Sequence, residues 1–312
     1  MRRSCKGLSV LLLASACVST INDTTIHGRI AFDSDRTGTD EIFVIDPHGS
    51  NLRQLTHVNR KGVSGRVPDW SPDRRWIVFA SNRTGPWADL YIMDASGRNL
   101  RQLTNTPGIS ESNAAWSPDG RQIIYSAQVR APTGTDGVRE DREPAHIWII
   151  DSDGPNARSL TRGSSRNIRP AWSPDGRTIL FSSDRHAPLD PEMIGRDDGD
   201  LEIYRMARDG SNVRRLTQYE GTALGARYSP DGQRIVFQGF QPPAFSEILI
   251  MDANGSAVEH LTRGRFPSAG RPGWSPDGRE LVFNFEGSIY VMHAEGGNPR
   301  KLTDNGRHPA WR

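Results

Sequence analysis

Trp116-Ser117-Pro118-Asp119-Gly120 decides the fold, because the chain repeats it. The tetrapeptide returns at Trp70–Asp73, Trp172–Asp175, Tyr228–Asp231 and Trp274–Asp277. Glycine follows at Gly120, Gly176, Gly232 and Gly278, and Arg74 replaces it once. Ser-Pro-Asp-Gly suits a type I turn. Serine opens it, proline arrives with φ already set, aspartate comes third and glycine closes. A short apolar strand follows each turn, as in Ile123-Ile124-Tyr125 or Ile179-Leu180-Phe181.

A second marker, Leu-Thr, runs out of phase with the first. It occurs at Leu55, Leu103, Leu160, Leu216, Leu261 and Leu302. Between the markers lie a third apolar strand, such as Ile147-Trp148-Ile149-Ile150, and an Asp-x-x-Gly turn. Four short strands with tight turns, repeated, predict propeller blades. Six Leu-Thr markers against five Ser-Pro-Asp turns are explained by the ends. Arg29-Ile30-Ala31-Phe32 matches a second strand, and His308-Pro309-Ala310-Trp311 matches a first strand. The expected fold is therefore all-β: a six-bladed β-propeller of four-stranded antiparallel blades spanning residues 29–312. Its C-terminal strand joins the N-terminal blade and closes the ring.

Composition agrees with that. The 312 residues include 31 glycines and 21 prolines, as a turn-rich protein needs. The net charge is only +2, which argues against a broad nucleic-acid surface. Cys5 and Cys17 are the only cysteines, so the body has no internal disulfide and holds through its core.

Residues 1–16 read as an export signal. Arg2, Arg3 and Lys6 precede the apolar run Leu8 to Ala16, and Ala14-Ser15-Ala16 suits cleavage. The run is shorter than the roughly 20 residues of a spanning helix. Leu13-Ala14-Ser15-Ala16-Cys17 resembles a bacterial lipobox, with Ala14 where leucine is usual. The resemblance implies lipidation of Cys17, with residues 17–28 as a short linker. The alternative is ordinary cleavage after Ala16.

The five pentapeptide copies resemble the Trp-Ser-Pro-Asp-Gly propeller repeat family, which includes the propeller of periplasmic TolB. The resemblance covers about Arg29 to Arg312 and is specific for fold. It implies a partner in the bacterial envelope, an envelope protein or peptide, and a periplasmic location. The repeat residues themselves are turn and core, so function must be sought elsewhere.

No Gly-x-Ser-x-Gly elbow, His-Glu-x-x-His motif or phosphate loop occurs, and no cofactor is expected. The turns are superficially similar to the sialidase Asp-box, but Ser117–Gly120 lacks its spacing and its tryptophan. Two inserts, 130–144 and 186–199, extend the second-to-third-strand loops. Asp197, Asp198 and Asp200 are calcium candidates that miss the EF-hand order; the alternative is a solvated acidic loop. Arg36, Arg83 and Arg185 share a Ser-Asp/Asn-Arg position, read as a carboxylate pair to a neighbouring blade. Trp70, Trp116, Trp172, Trp274 and Trp311 are read as inter-blade core, and Trp87 as exposed.

The channel remains. The first strand of a blade lies innermost, so residues just before the aromatic face the axis. Val67, Asn113, Arg169, Gly225, Arg271 and His308 stand three before it, and Arg66 and Arg307 one further out. A ring of Arg66, Asn113, Arg169, Arg271, Arg307 and His308 would give one electropositive mouth for a carboxylate, an anionic glycan or an acidic peptide. The bland reading is a water-lined wall. Two functions follow: a monomeric, lipid-tethered scaffold that binds protein or peptide, or an envelope hydrolase or lyase acting on carbohydrate at the channel mouth.

Overall fold

The computed structural model describes residues 28–312 except 59, 131–143, 187–200, 242–244 and 265. Cys17, Asp197, Asp198, Asp200 and most of both inserts lie outside the described residues. Within them, twenty-four strands pair into six four-stranded antiparallel sheets, and no α-helix occurs.

Blade 1 holds β1 (Ile30–Ser34), β2 (Glu41–Ile45) and β3 (Arg53–Gln54). Blade 2 is β4 (Gly65–Trp70), β5 (Trp76–Ser81), β6 (Asp89–Asp94) and β7 (Arg101–Gln102). Blade 3 is β8 (Ile109–Trp116), β9 (Gln122–Val129), β10 (Ala145–Asp151) and β11 (Arg158–Ser159). Blade 4 is β12 (Asn167–Trp172), β13 (Thr178–Ser183), β14 (Glu202–Ala207) and β15 (Arg214–Arg215). Blade 5 is β16 (Thr222–Tyr228), β17 (Arg234–Gln241), β18 (Phe245–Asp252) and β19 (Glu259–His260). Blade 6 is β20 (Gly270–Trp274), β21 (Glu280–Phe285), β22 (Ser288–His293) and β23 (Arg300–Thr303). The last strand, β24 (Arg307–Trp311), completes blade 1 by pairing with β1. Ile30 faces Trp311 and Ala31 faces Ala310. The Arg29 N–H donates to the Arg312 carbonyl at 2.7 Å, so the ring closes as the complementary ends require.

Each repeat marker has a local job. In the first turn of blade 3, the Gly120 N–H donates to the Ser117 carbonyl at 2.9 Å, with φ of +70° at the glycine. Ser117 Oγ accepts the Gln122 N–H at 2.9 Å, and Asp119 accepts the Arg121 N–H at 3.0 Å. Arg74 adopts the same left-handed φ without being glycine. The threonine of Leu-Thr serves the third strand. Thr56 Oγ1 accepts the Ile42 N–H at 2.8 Å and donates to Glu41. Thr217 does the same for Ile203 and Glu202. Thr104 serves Leu90 and donates to Glu111 of the next blade.

The hydrophobic core lies between blades. Ala31, Ile42 and Val44 of blade 1 pack on Trp70, Ile77 and Phe79 of blade 2. Across the closure, Ile30, Phe32, Phe43 and Trp311 of blade 1 meet Val282, Ile289 and Val291 of blade 6. All five repeat tryptophans join such clusters. Trp87 is half-buried, with the Arg130 guanidinium 6.0 Å from its ring, and is not the exposed residue expected. Arg36, Arg83 and Arg185 also differ from expectation. Each lies over two rings of its own blade, Phe32 and Phe43, Phe79 and Tyr91, or Phe181 and Tyr204, at 4.8–5.4 Å. Each Nε bonds a serine two residues back. The planar guanidinium stacks on an aromatic pair in place of a direct ion pair, and the neighbouring-blade carboxylates Asp304 and Glu41 act on Arg36 and Arg83 through space alone.

Candidate functional site

The inner strands are not regular. Val67, Asn113, Arg169, Gly225, Arg271 and His308 all have positive φ, between 50° and 62°. A register shift falls at this point in all six inner strands. An unpaired residue at a bulge leaves the ladder and can turn its side chain toward the axis. A left-handed non-glycine residue costs about 1–2 kcal/mol. The preceding blade offsets part of that with a side-chain acceptor. Asp33 Oδ1 takes the Val67 N–H at 3.0 Å, and Ser126 Oγ takes the Arg169 N–H at 3.0 Å. Ser182 Oγ and Gln238 Oε1 do the same for Gly225 and Arg271, each at 3.3 Å. These acceptors follow the aromatic of the second strand. A polar residue inside an otherwise apolar strand was the sequence signal for them.

Four of the predicted residues come together on the channel wall. Arg271 Nη1 donates to Asn113 Oδ1 at 3.0 Å, from blade 6 to blade 3 on the opposite side of the axis. Arg169 Nη1 reaches Gln238 Oε1 at 3.4 Å. It passes over Gly225, where an added Cβ would stand 3.6 Å from Arg169 Cδ. His308 Nδ1 lies 2.7 Å from Asp33 Oδ1. Four charged lining residues were missed, Arg74, Arg312 and two that stand one position before the aromatic, again on opposite blades. Asp69 accepts the Trp116 N–H at 3.0 Å, and Arg227 donates to the Pro170 carbonyl at 3.3 Å. Their counterparts Ala115, Ala171, Gly273 and Ala310 are small. The resulting cavity is about 450 Å³ and extends to a collar of Pro72, Pro118, Pro174, Pro230 and Pro276.

Its electrostatics are those of crowded cations. Burial, then Arg169 and Arg227, hold Arg271 well below the ordinary guanidinium range, against Asp33. Burial and Arg271 lower His308, and Asp33 opposes them, so its imidazole is neutral at pH 7. Burial raises Asp69, against the Trp116 N–H and the charges of Arg227 and Arg312.

Arg66 and Arg307 go elsewhere, contrary to the expected ring. Both pair with Asp40, and Arg307 also lies 3.5 Å from Asp35 and 3.6 Å from Asp33. Neighbouring strand residues point to opposite sides, so the residue beside the bulge leaves the axis. Asp33, Asp35 and Asp40 balance these two cations outside the cavity. Among the described residues, no three His, Cys, Asp or Glu side chains are grouped to hold a metal ion.

Six closed blades around a polar axial cavity define a six-bladed β-propeller of the Trp-Ser-Pro-Asp-Gly repeat type. The chain belongs to the TolB β-propeller family, whose TolB beta propeller domain matches residues 138–311. An uncharacterized protein of Agrobacterium fabrum is 30% identical over 223 residues, covering 68% of this chain and 67% of its own. The uncharacterized peptidase YuxL of Bacillus subtilis is 26% identical over 56% of this chain, which spans only 29% of that enzyme. TolB from Acinetobacter baumannii superposes with a TM-score of 0.71 at 22% identity, over 92% of this chain and 67% of that one. Oligogalacturonate lyase from Vibrio parahaemolyticus superposes with 0.58 at 17% identity, over 88% and 74% of the two chains. At these identities the superpositions show the fold.

Proposed function

We propose that the chain is an exported, lipid-tethered propeller that binds a protein or peptide in the bacterial envelope through its channel face. Residues 1–16 direct export, Cys17 carries the lipid, and 17–28 tether the propeller. One observation carries the binding reading. The repeat holds turns and core nearly constant, yet its axial position carries Val67, Asn113, Arg169, Gly225, Arg271 and His308. A purely structural position would repeat like the tryptophans do.

A photo-crosslinking residue at Pro118, on the collar, should capture a defined envelope protein in cells. The same residue at Val213, exposed on the outer edge, should not. Equal capture from both would remove the channel face from this reading. Cys17→Ser should move the protein from membrane to soluble fractions, and unchanged membrane association would remove the tether.

A second reading has its own observation. Neutral His308, oriented by Asp33 at 2.7 Å beside Arg271, has the makings of a general base next to a carboxylate clamp. That combination suits a lyase on an acidic sugar. Release of unsaturated product from oligogalacturonate, lost in His308→Gln, would support it; no product would set it aside.

A further inference from the structure

The protein as a whole carries a net charge of only +2, but its axial cavity is strongly cationic. Arg74, Arg169, Arg227 and Arg271 line it, with Asp69 as the facing acid. Asp33, behind His308 and outside the lining, already serves His308, the Val67 N–H and Arg307. A guanidinium cannot shed its proton, so crowded arginines are relieved by an anion. Arg271 uses Nη1 on Asn113, and a guanidinium has five N–H donors in a planar fork that matches a carboxylate. Above these arginines the collar is five prolines, apolar and rigid.

We propose that the cavity binds a carboxylate of an acidic peptide segment, with Arg169 and Arg271 holding the carboxylate and the proline collar packing the chain behind it. The proposal rests on the protein-binding reading of the channel face and names what that face selects. A uronate oligosaccharide offers the same carboxylates but turns hydroxyls toward the proline rings, whereas the apolar stem of a glutamate side chain packs on them. The geometry therefore favours the peptide.

The test is calorimetric titration of the full chain with oligoglutamate, oligoglutamine and oligogalacturonate. Oligoglutamate should bind, more weakly as salt rises, and oligoglutamine should bind at least about tenfold more weakly. Arg271→Gln and Arg169→Gln should each weaken oligoglutamate by about 10–100-fold. Arg214→Gln, exposed on β15, should not weaken it. Thermal unfolding reports whether each variant is folded, and Arg169→Gln carries the test if Arg271→Gln is not. Absent oligoglutamate binding, binding unaffected by both arginine changes, or tighter oligogalacturonate binding would overturn the proposal. Collar cross-linking that persists without oligoglutamate binding would sink the anion site and leave the binding face standing. Loss of both would remove the face as well.

Discussion

At the scale of single residues, each repeat marker is a hydrogen-bonding device. Ser117, Asp119 and Gly120 satisfy one another within a few residues, so their roles were legible in sequence. Thr104 was legible as a marker but not as a device, because its acceptor Glu111 belongs to the next blade. Arg36, Arg83 and Arg185 were misread because sequence shows charge and hides the aromatic pair beneath. Glu111 supplies a pH test. Burial pushes it up from 4.5 to about 7, against hydrogen bonds from Thr104 and Thr106. The folded protein thus holds this proton where the unfolded chain has lost it. Stability therefore falls as pH rises from about 4.5 to about 7 and stays lower above. Glu111→Gln keeps an acceptor for Thr104 and removes the penalty. Chemical unfolding should find the variant about 1–3 kcal/mol more stable at about pH 8 and equal near pH 4. A constant difference at both pH values would contradict this.

At the scale of elements, the telling strand is β24. Sequence reading found it because a first strand was missing at one end and present at the other. The pairing of Ile30 with Trp311 realises that match. The bulges of the inner strands were not legible. No residue type marks them, since Val67, Asn113, Arg169, Arg271 and His308 have nothing in common but φ. Those at Val67, Arg169, Gly225 and Arg271 are held by acceptors on the preceding blade, which only the assembled ring brings near. Removing His308–Arg312 would expose the β1 edge and empty the blade 6 to blade 1 core of Trp311. Loss of a buried tryptophan alone costs about 3–5 kcal/mol. Thermal unfolding of the truncated chain should begin far below that of the full chain; an unchanged midpoint would argue against closure by this strand.

At the scale of the whole molecule, closure turns six local irregularities into one cavity. Register alone placed Asn113, Arg169, Arg271 and His308 on its wall. It could not separate them from Arg66 and Arg307, because alternation across a bulge is invisible in a string of letters. Nor could it pair Asp69 with Arg227, which face each other from blades 2 and 5. The inference from channel to partner is the centre of the account. Its most direct test is quantitative affinity capture from solubilised bacterial envelope, comparing the intact chain with Arg169→Ala/Arg271→Ala. The intact chain should recover one defined partner, and the folded double variant should lose it. Equal recovery by both would contradict the account.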